Sequence, residues 1–265
     1  MISFDSLGRM GRLGNQMFQY AAIYAIARRR GFDFCIPPSS GRGLADEPQL
    51  AMAFDLAGPA EMALRPYAPR LTESHFHFDS VLAHTCPDNV DIRGFFQSER
   101  NFQDCAPEIR REFAFRPEVA RLCREALAQL GPEVISLHVR RTDYVMYAHM
   151  HPPQDIQYYQ RALERAPEGL PVLVFSDDIA WCRAQALFQA PRFSFSEGWD
   201  HVHDLCLMSL CRHHIIANSS FSWWGAWLNP APDKIVIAPT RWMGTEGYVA
   251  AHDLRDLVPP GWVRV

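Results

Sequence analysis

Hydrophobic positions follow two different spacings along this chain of 265 residues. Within 15–30, apolar residues recur at the three- and four-residue spacing of a helix, and Gly31 provides a stop signal. From 134 onwards, short apolar runs alternate with segments of helical spacing. Strands that alternate with helices in this way are typical of βαβ units, so the pattern predicts a parallel sheet.

The second part of the chain predicts strands and helices in alternation. The predicted strands are 134–139, 172–175, 192–195, 214–217 and 235–238. The predicted helices are 155–166, 178–188, 202–211 and 221–228. The first part predicts a strand at 32–36 and helices at 103–113 and 117–130, whereas 37–93 shows few periodic segments. We place a domain boundary at Gly131–Pro132, which gives domains 1–131 and 132–265.

The composition excludes several classes of protein. With 48% hydrophobic and 21% charged residues, the chain is not expected to be disordered. A net charge of −4 argues against nucleic-acid binding by bulk charge. Seven cysteines without CxxC spacing predict neither a disulfide framework nor a zinc site. No apolar run is long enough for a membrane span and no signal peptide is evident, which predicts a cytoplasmic protein and leaves peripheral membrane association open.

Three polar clusters each follow a predicted strand. They are HVRRTDY (138–144), FSDD (175–178) and NSSFSWW (218–224). In open α/β sheets, ligands bind outside the carboxyl ends of the strands, where the strand order reverses. The three clusters are therefore expected to meet at one rim of the sheet and to form one site.

The chemistry of these clusters suits a nucleoside diphosphate. Arg140 or Arg141 can hold phosphate oxygens through two parallel hydrogen bonds. Alternation along an extended segment sends their side chains to opposite faces, and His138 shares the face of Arg140. Ser219 and Ser220 lie where a helix begins, so their hydroxyls and the nearby backbone N–H groups can receive an anion.

Other interpretations of the same residues stay open. Asp177 can accept hydrogen bonds from ribose or a base, but the pair Asp177–Asp178 can also simply begin a helix. The two serines can be helix caps, and each arginine can be ion-paired. The tryptophans at 223, 224 and 227 are more typical of a core than of a cofactor site. The histidines occur in local pairs without a third ligand, so no metal site is predicted.

Five segments carry a family resemblance. They are GRLGNQMFQYA (11–21), GFFQSERNF (94–102), HVRRTDY, FSDD and NSSFSWWGAWL (218–228). Together they resemble the motifs of the α-1,2-fucosyltransferases of glycosyltransferase family 11. The resemblance spans most of the chain in the family's order, except 37–90 and about the last twenty residues.

The resemblance implies an inverting enzyme that moves L-fucose from GDP-β-L-fucose to the 2-hydroxyl of a galactose-terminated glycan, without a metal. It implies a GT-B-like α/β fold of two Rossmann-like halves, with the donor site in the C-terminal half. Arg140 would contact the diphosphate beside His138, and Asp177 would lie near the guanosine. The remaining expected ligands are Asn218, Ser219, Ser220 and Phe221 around the phosphates, with Gly14 and Asn15 in the other half near the reaction centre.

Two chemical roles follow as hypotheses. Arg140, helped by His138, would stabilise the leaving phosphate, because negative charge grows there in the transition state. Asp143 is our first candidate for the general base, with an ion pair to a nearby arginine as its alternative. Glu99 is the second candidate, and a dissociative reaction would need no strong base.

Alternative functions stay open as well. The donor motifs recur in fucosyltransferases of other linkages, and a catalytically silent nucleotide- or carbohydrate-binding protein would also keep them. The natural acceptor and the oligomeric state are not predicted.

Overall fold

The computed structural model describes residues 1–38, 48–60, 68–245 and 252–265. Its contacts divide the chain into two compact units. The first is Met1–Arg116 with His252–Pro259, and the second is Pro117–Ala251 with Pro260–Val265. Each unit contains a parallel sheet with helices, which confirms the predicted α/β class.

The first unit is built on four very short strands in the order β2–β1–β4–β3. These strands are β1 (Ile2–Ser3), β2 (Phe34–Cys35), β3 (Arg70–Thr72) and β4 (Asp91–Arg93). The helices are α1 (Leu13–Arg30), α2 (Leu50–Ala53), α3 (Ser80–Thr85) and α4 (Ala106–Glu112). Only β2 was predicted, because strands of two or three residues are too short to show a period. Part of the segment 37–93 lies outside the described residues.

Helix α1 is the central element of the first unit. Side chains on nearly every side of it are buried, including Tyr20, Ile23 and Ile26. Its predicted end is confirmed, because Gly31 adopts the left-handed conformation at φ 68° and its N–H bonds back to the last turn.

The second unit contains six parallel strands in the order β10–β9–β8–β5–β6–β7. They are β5 (Ile135–Val139), β6 (Val172–Ser176), β7 (Phe193–Phe195), β8 (His213–Ile215), β9 (Val236–Ala238) and β10 (Val263–Arg264). Strands β6 and β7 follow on one side of β5, and β8, β9 and β10 follow on its other side. The strand order therefore reverses between β5 and β8. A ligand site is expected at this reversal.

The helices of the second unit connect these strands. They are α5 (Pro117–Ala128), α6 (Thr142–Met146), α7 (Ile156–Arg165), α8 (Ile179–Ala184), α9 (His201–Leu210) and α10 (Ser220–Leu228). Helix α5 packs on α9, and the Cys123 thiol lies 3.6 Å from the carbonyl of His203. The second unit begins at Pro117, the first residue of α5, and the domain boundary at Gly131–Pro132 stays a prediction.

The core of the second unit explains the apolar runs of the sequence. One buried cluster includes alternate residues of β5 and β6, namely Ile135, Leu137, Val139, Val172 and Val174. The tryptophans at 223, 224 and 227 are buried as well, which confirms their core interpretation.

The contact between α9 and α10 gives a test of this packing. A Cβ on Gly225 would lie 2.7 Å from Met208 Cβ, so Gly225→Ala should destabilise the protein by about 1–3 kcal/mol. Helix propensity alone would favour alanine by about 1 kcal/mol, so the two effects differ in sign. Chemical denaturation measures the difference. Gly261→Ala is the control, because its Cβ would meet open space; equal stability of both variants would contradict the tight contact.

Candidate functional site

The strand register brings the first two polar clusters together. In the parallel pair β5–β6, His138 lies opposite Phe175 and Val139 lies opposite Ser176. Strand β5 ends at Val139 and strand β6 ends at Ser176, so the residues that follow them, Arg140 and Asp177, lie side by side. Strand β8 borders β5 on its other edge, which brings Asn218 and Ser219 to the same rim.

Arg140 is the central charge of this rim. Its guanidinium lies 2.6 Å from the Asp143 carboxylate and 3.2 Å from that of Asp177, and it lies over the Tyr144 ring at 5.5 Å. Burial opposes the charge of Arg140, but the two carboxylates outweigh burial and raise its pKa. Asp143 is thus ion-paired with Arg140, which was the alternative to its role as a general base.

Asp177 holds the segment that follows β5. Its carboxylate accepts hydrogen bonds from the Arg141 backbone N–H at 2.9 Å and from the Thr142 hydroxyl, in addition to the Arg140 ion pair. These partners fix the position of Arg140. A contact with the guanosine, as the family resemblance implies, stays a prediction for this residue.

Arg141 lies on the opposite face from Arg140, as alternation predicts. Its guanidinium stacks on the Trp181 ring at 3.9 Å and pairs with Asp178 at 3.3 Å. Asp178 also accepts the Trp181 N–H at 3.0 Å and caps α8, so the helix-start interpretation holds for this acid. Arg141 is therefore held by structural contacts, and the diphosphate contact of Arg140 stays a prediction.

His138 is buried, and its Nδ1 lies 2.8 Å from Ser222 Oγ on α10. Burial, and secondarily the charge of Arg140, lower the pKa of His138 to about 3. The side chain is neutral at physiological pH, so it offers a ligand one hydrogen bond but no positive charge. Arg140 alone of this pair can neutralise a phosphate.

The third cluster is held by hydrogen bonds to other loops and within its own helix start. The Asn218 amide donates to the carbonyls of Pro152 at 3.0 Å and Trp242 at 2.8 Å. Ser219 Oγ accepts the Phe221 N–H at 3.3 Å and caps α10. Asn218 therefore anchors loops, and Ser219 has the capping role that the sequence left open.

Ser220 and Phe221 form the half-buried first turn of α10. The Phe221 ring lies 5.9 Å from the His138 ring. Together with Arg140 they border the rim where strand order reverses. Their binding roles stay predictions.

Three residues of the site were not assigned by sequence reasoning. Tyr144 donates to the Asn218 carbonyl at 2.9 Å, and burial raises its pKa to about 12. Ser222 holds His138, and Thr142 holds Asp177. Tyr144 and Thr142 lie in the HVRRTDY segment and Ser222 in the third cluster, but only the register reveals their partners.

The remaining predicted residues lie in the first unit. Gly14 and Asn15 begin α1, where the Asn15 Oδ1 accepts a hydrogen bond from Gln97 Nε2 at 2.8 Å. Glu99 lies in a short 3₁₀ turn, and its charge acts on Arg110. The structure thus places the two candidate bases, Asp143 and Glu99, in different units.

Across the described parts of the chain, there is no group of three or more His, Cys, Asp or Glu side chains that could hold a metal ion. None of the described helices is long and apolar enough to cross a membrane.

Comparison with known families gives a match over 6–265 to the model of glycosyl transferase family 11. The chain belongs to this family. The family resemblance of the five sequence segments is thereby confirmed, and the protein is a glycosyltransferase.

Curated proteins that are similar to this chain include glycosyltransferases of bacteria and a mammal. The chain is 31% identical to an alpha-1,2-colitosyltransferase of Escherichia coli over 96% of both chains. It is 36% identical to the O-antigen biosynthesis glycosyltransferase WbnK of Escherichia coli over 49% of this chain and 44% of that one. It is 29% identical to galactoside alpha-(1,2)-fucosyltransferase 2 of Sus scrofa over 84% of this chain and 69% of that one.

Solved structures with a similar fold are fucosyltransferases. The NodZ alpha-1,6-fucosyltransferase soaked with GDP-fucose matches with a TM-score of 0.55 and 17% identity, over 86% of this chain and 92% of that one. POFUT1 in complex with GDP matches with a TM-score of 0.59 and 12% identity, over 89% and 97%. At these identities the likeness establishes the fold, and the expected GT-B-like fold of this glycosyltransferase is confirmed.

The state of His138 gives the test of this site. Because its pKa lies near 3, the imidazole should stay neutral throughout pH 5–8 and charge only in strong acid. Imidazole ¹⁵N shifts measured across that range should show no titration for His138, whose signal is assigned by its loss in His138→Asn. A midpoint near the ordinary histidine value of about 6.5 would contradict the burial argument.

Proposed function

We propose that this family 11 enzyme is an inverting α-1,2-fucosyltransferase. It would move L-fucose from GDP-β-L-fucose to the 2-hydroxyl of a terminal galactose in a glycan. The observation that carries the proposal is the half-buried guanidinium of Arg140 at the strand-order reversal, where a diphosphate would be held. The names of the similar galactoside alpha-(1,2)-fucosyltransferases support the linkage.

The proposed mechanism centres on a change of partners at Arg140. The Asp143 side chain is 35% exposed and that of Asp177 only 20%. A diphosphate arriving from solvent would therefore displace Asp143 from the guanidinium, whereas Asp177 keeps Arg140 in place. As the bond between the anomeric carbon and the β-phosphate oxygen breaks, Arg140 stabilises the growing charge on the GDP.

Asp143 stays our first candidate for the general base. For this role the Asp143 carboxylate would have to reach the face of the sugar opposite the leaving phosphate, because the acceptor hydroxyl attacks from that face in an inverting transfer. Backbone N–H groups of the first turn of α10, with Ser219, Ser220 and Phe221, would add hydrogen bonds to the phosphates. We assign acceptor recognition to the first unit, with Asn15 as its polar group.

A second donor is favoured by one observation, the similarity to an alpha-1,2-colitosyltransferase over nearly the whole chain. Colitose is L-fucose without its 3-hydroxyl, so both sugars can share the same diphosphate contacts. Incubation with GDP-fucose or GDP-colitose, each with lactose, distinguishes the two donors. Linkage analysis of the product tests the α-1,2 assignment, and GDP binding without any transfer would support the silent binding protein instead.

Arg140→Lys tests the proposed role of the guanidinium. Lysine keeps the charge but loses the planar pair of donors, so kcat should fall by about 100-fold or more. The measurement is release of GDP from GDP-fucose in the presence of lactose. Arg141→Lys is the matched control and should retain most of the activity, because its guanidinium faces Trp181 and Asp178. Normal turnover by Arg140→Lys would refute the assignment.

A chelator tests the source of the positive charge. Since Arg140 is proposed to neutralise the leaving phosphate, activity should be unchanged after dialysis against EDTA. The same assay measures it, with added Mg²⁺ as the comparison. Activity that disappears with EDTA and returns with Mg²⁺ would show that arginine is not sufficient.

A further inference from the structure

Side-chain amides connect the two central strand ends of the first unit. Gln97 follows β4 and donates to Asn15 at the start of α1. Gln19, one turn further along α1, donates to the Met10 carbonyl at 3.0 Å and to the Gly94 carbonyl at 3.2 Å. The loops after β1 and β4 are thus tied together by amides, and Asn15 is the half-buried member of this set.

The turn that carries Gln97 has an unusual backbone. Phe96 is buried and has a φ of 52°, in the left-handed region that bulky side chains rarely adopt. Such a conformation persists only where the surroundings enforce it, and it occurs preferentially at functional sites. The absence of a side chain at Gly94 lets Glu73 approach this turn closely, because a Cβ on Gly94 would lie 2.5 Å from the Glu73 Cβ.

Glu73 enforces this conformation. It lies directly after β3, and its carboxylate accepts the N–H of Phe95 at 2.8 Å and that of Phe96 at 3.0 Å. Two charge-assisted hydrogen bonds therefore hold consecutive backbone groups of the strained turn. The turn in turn fixes the Gln97 side chain against Asn15.

We propose that Glu73 and Gln97 are positioning residues for acceptor binding, which act by holding the Asn15 amide towards a galactose hydroxyl. This inference rests on the proposed function, in which the first unit binds the acceptor. Because Gln97 donates to Oδ1 of Asn15, the amide nitrogen is the group that Asn15 presents. Gly11, at φ 93°, lets the Asn15 amide pack closely against this loop, since a Cβ there would lie 2.1 Å from the amide nitrogen.

The same arrangement makes acceptor binding sensitive to pH. Burial, opposed by the two backbone hydrogen bonds and reinforced by the charge of Asp79, raises the pKa of Glu73 to about 7. The other titratable groups on the adjoining segments are Arg93, whose carbonyl accepts the Glu73 N–H, and the neighbouring His75 and His77. Protonation of Glu73 turns one acceptor oxygen into a donor facing a backbone N–H, so acceptor binding should weaken as pH falls through 7.

The experiment measures binding of lactose and of methyl β-galactoside to the GDP-loaded protein by calorimetry. Wild-type affinity should be up to about tenfold weaker at about pH 6 than at about pH 8, since Glu73 is mostly protonated at the lower value. Glu73→Gln should weaken binding by about 10- to 100-fold at the higher pH and abolish the pH response. Gln97→Leu should weaken galactoside binding and abolish its pH response to the same extent, although the Glu73 carboxylate is intact.

Glu112→Gln is the matched control. The Glu112 carboxylate also accepts two backbone N–H groups of the first unit, from Ala57 at 3.0 Å and Gly58 at 3.2 Å. This variant should keep the wild-type affinity for lactose and its pH response. GDP affinity should be unchanged in all variants. If Glu73→Gln loses GDP binding, that substitution disturbs the fold, and the lactose affinity of Gln97→Leu then serves as the test.

The outcomes separate this inference from the proposed function. Wild-type affinity and pH response in Gln97→Leu, or in a folded Glu73→Gln, would overturn the inference while leaving the transferase activity in place. Failure of the wild type to bind either galactoside would overturn it as well. Binding of lactose with the expected pH response but without fucosyl transfer would contradict only the proposed function.

Discussion

The second unit depends on a cation held partly out of water between two carboxylates. The Arg140 side chain is only 17% exposed, so its guanidinium loses much of its hydration, and the carboxylates of Asp143 and Asp177 replace the lost water contacts. The resulting trio carries a net negative charge, which would repel a diphosphate if it were rigid. In the proposed mechanism one carboxylate therefore yields when the diphosphate binds, and the more exposed Asp143 is the one expected to do so. In this structure, the two ion pairs hold the Arg140 guanidinium in place.

The strand order explains how Asp177, which is distant in sequence, reaches Arg140. Parallel strands β5 and β6 run in register, so the residues leaving their carboxyl ends emerge together. The reversal between β5 and β8 then opens a crevice at the same rim. The sequence predicted this much, since apolar runs of four to six residues locate the strands and polar clusters locate their ends. It could not predict which acid pairs with Arg140 or that Ser222 holds His138, because these partners follow from register and helix rotation.

The first unit was much less predictable, for a physical reason. Its strands have two or three residues, and their stability comes from α1 and from side-chain amides rather than from a long alternating pattern. A glutamine that ties two loops has the same sequence signature as an exposed glutamine. Glu73 is likewise a single acid after a strand that the sequence did not reveal. Only the folded structure shows that its carboxylate accepts a hydrogen bond from the backbone N–H of Phe96.

The proposed division of donor and acceptor binding between the two units bears on sugar specificity. Arg140 and the start of α10 are suited to a diphosphate, which every nucleoside-diphosphate sugar carries, so this rim cannot distinguish fucose from colitose. That discrimination requires a group that hydrogen-bonds the 3-hydroxyl, because a polar site rejects an analogue that leaves it unpaired more strongly than an apolar pocket rejects an extra hydroxyl. A fold shared at 12–17% identity therefore does not define the sugar donor or the linkage. In the proposed function, the charge at the strand reversal selects a nucleoside-diphosphate donor, whereas the transferred sugar depends on polar contacts beyond the phosphates.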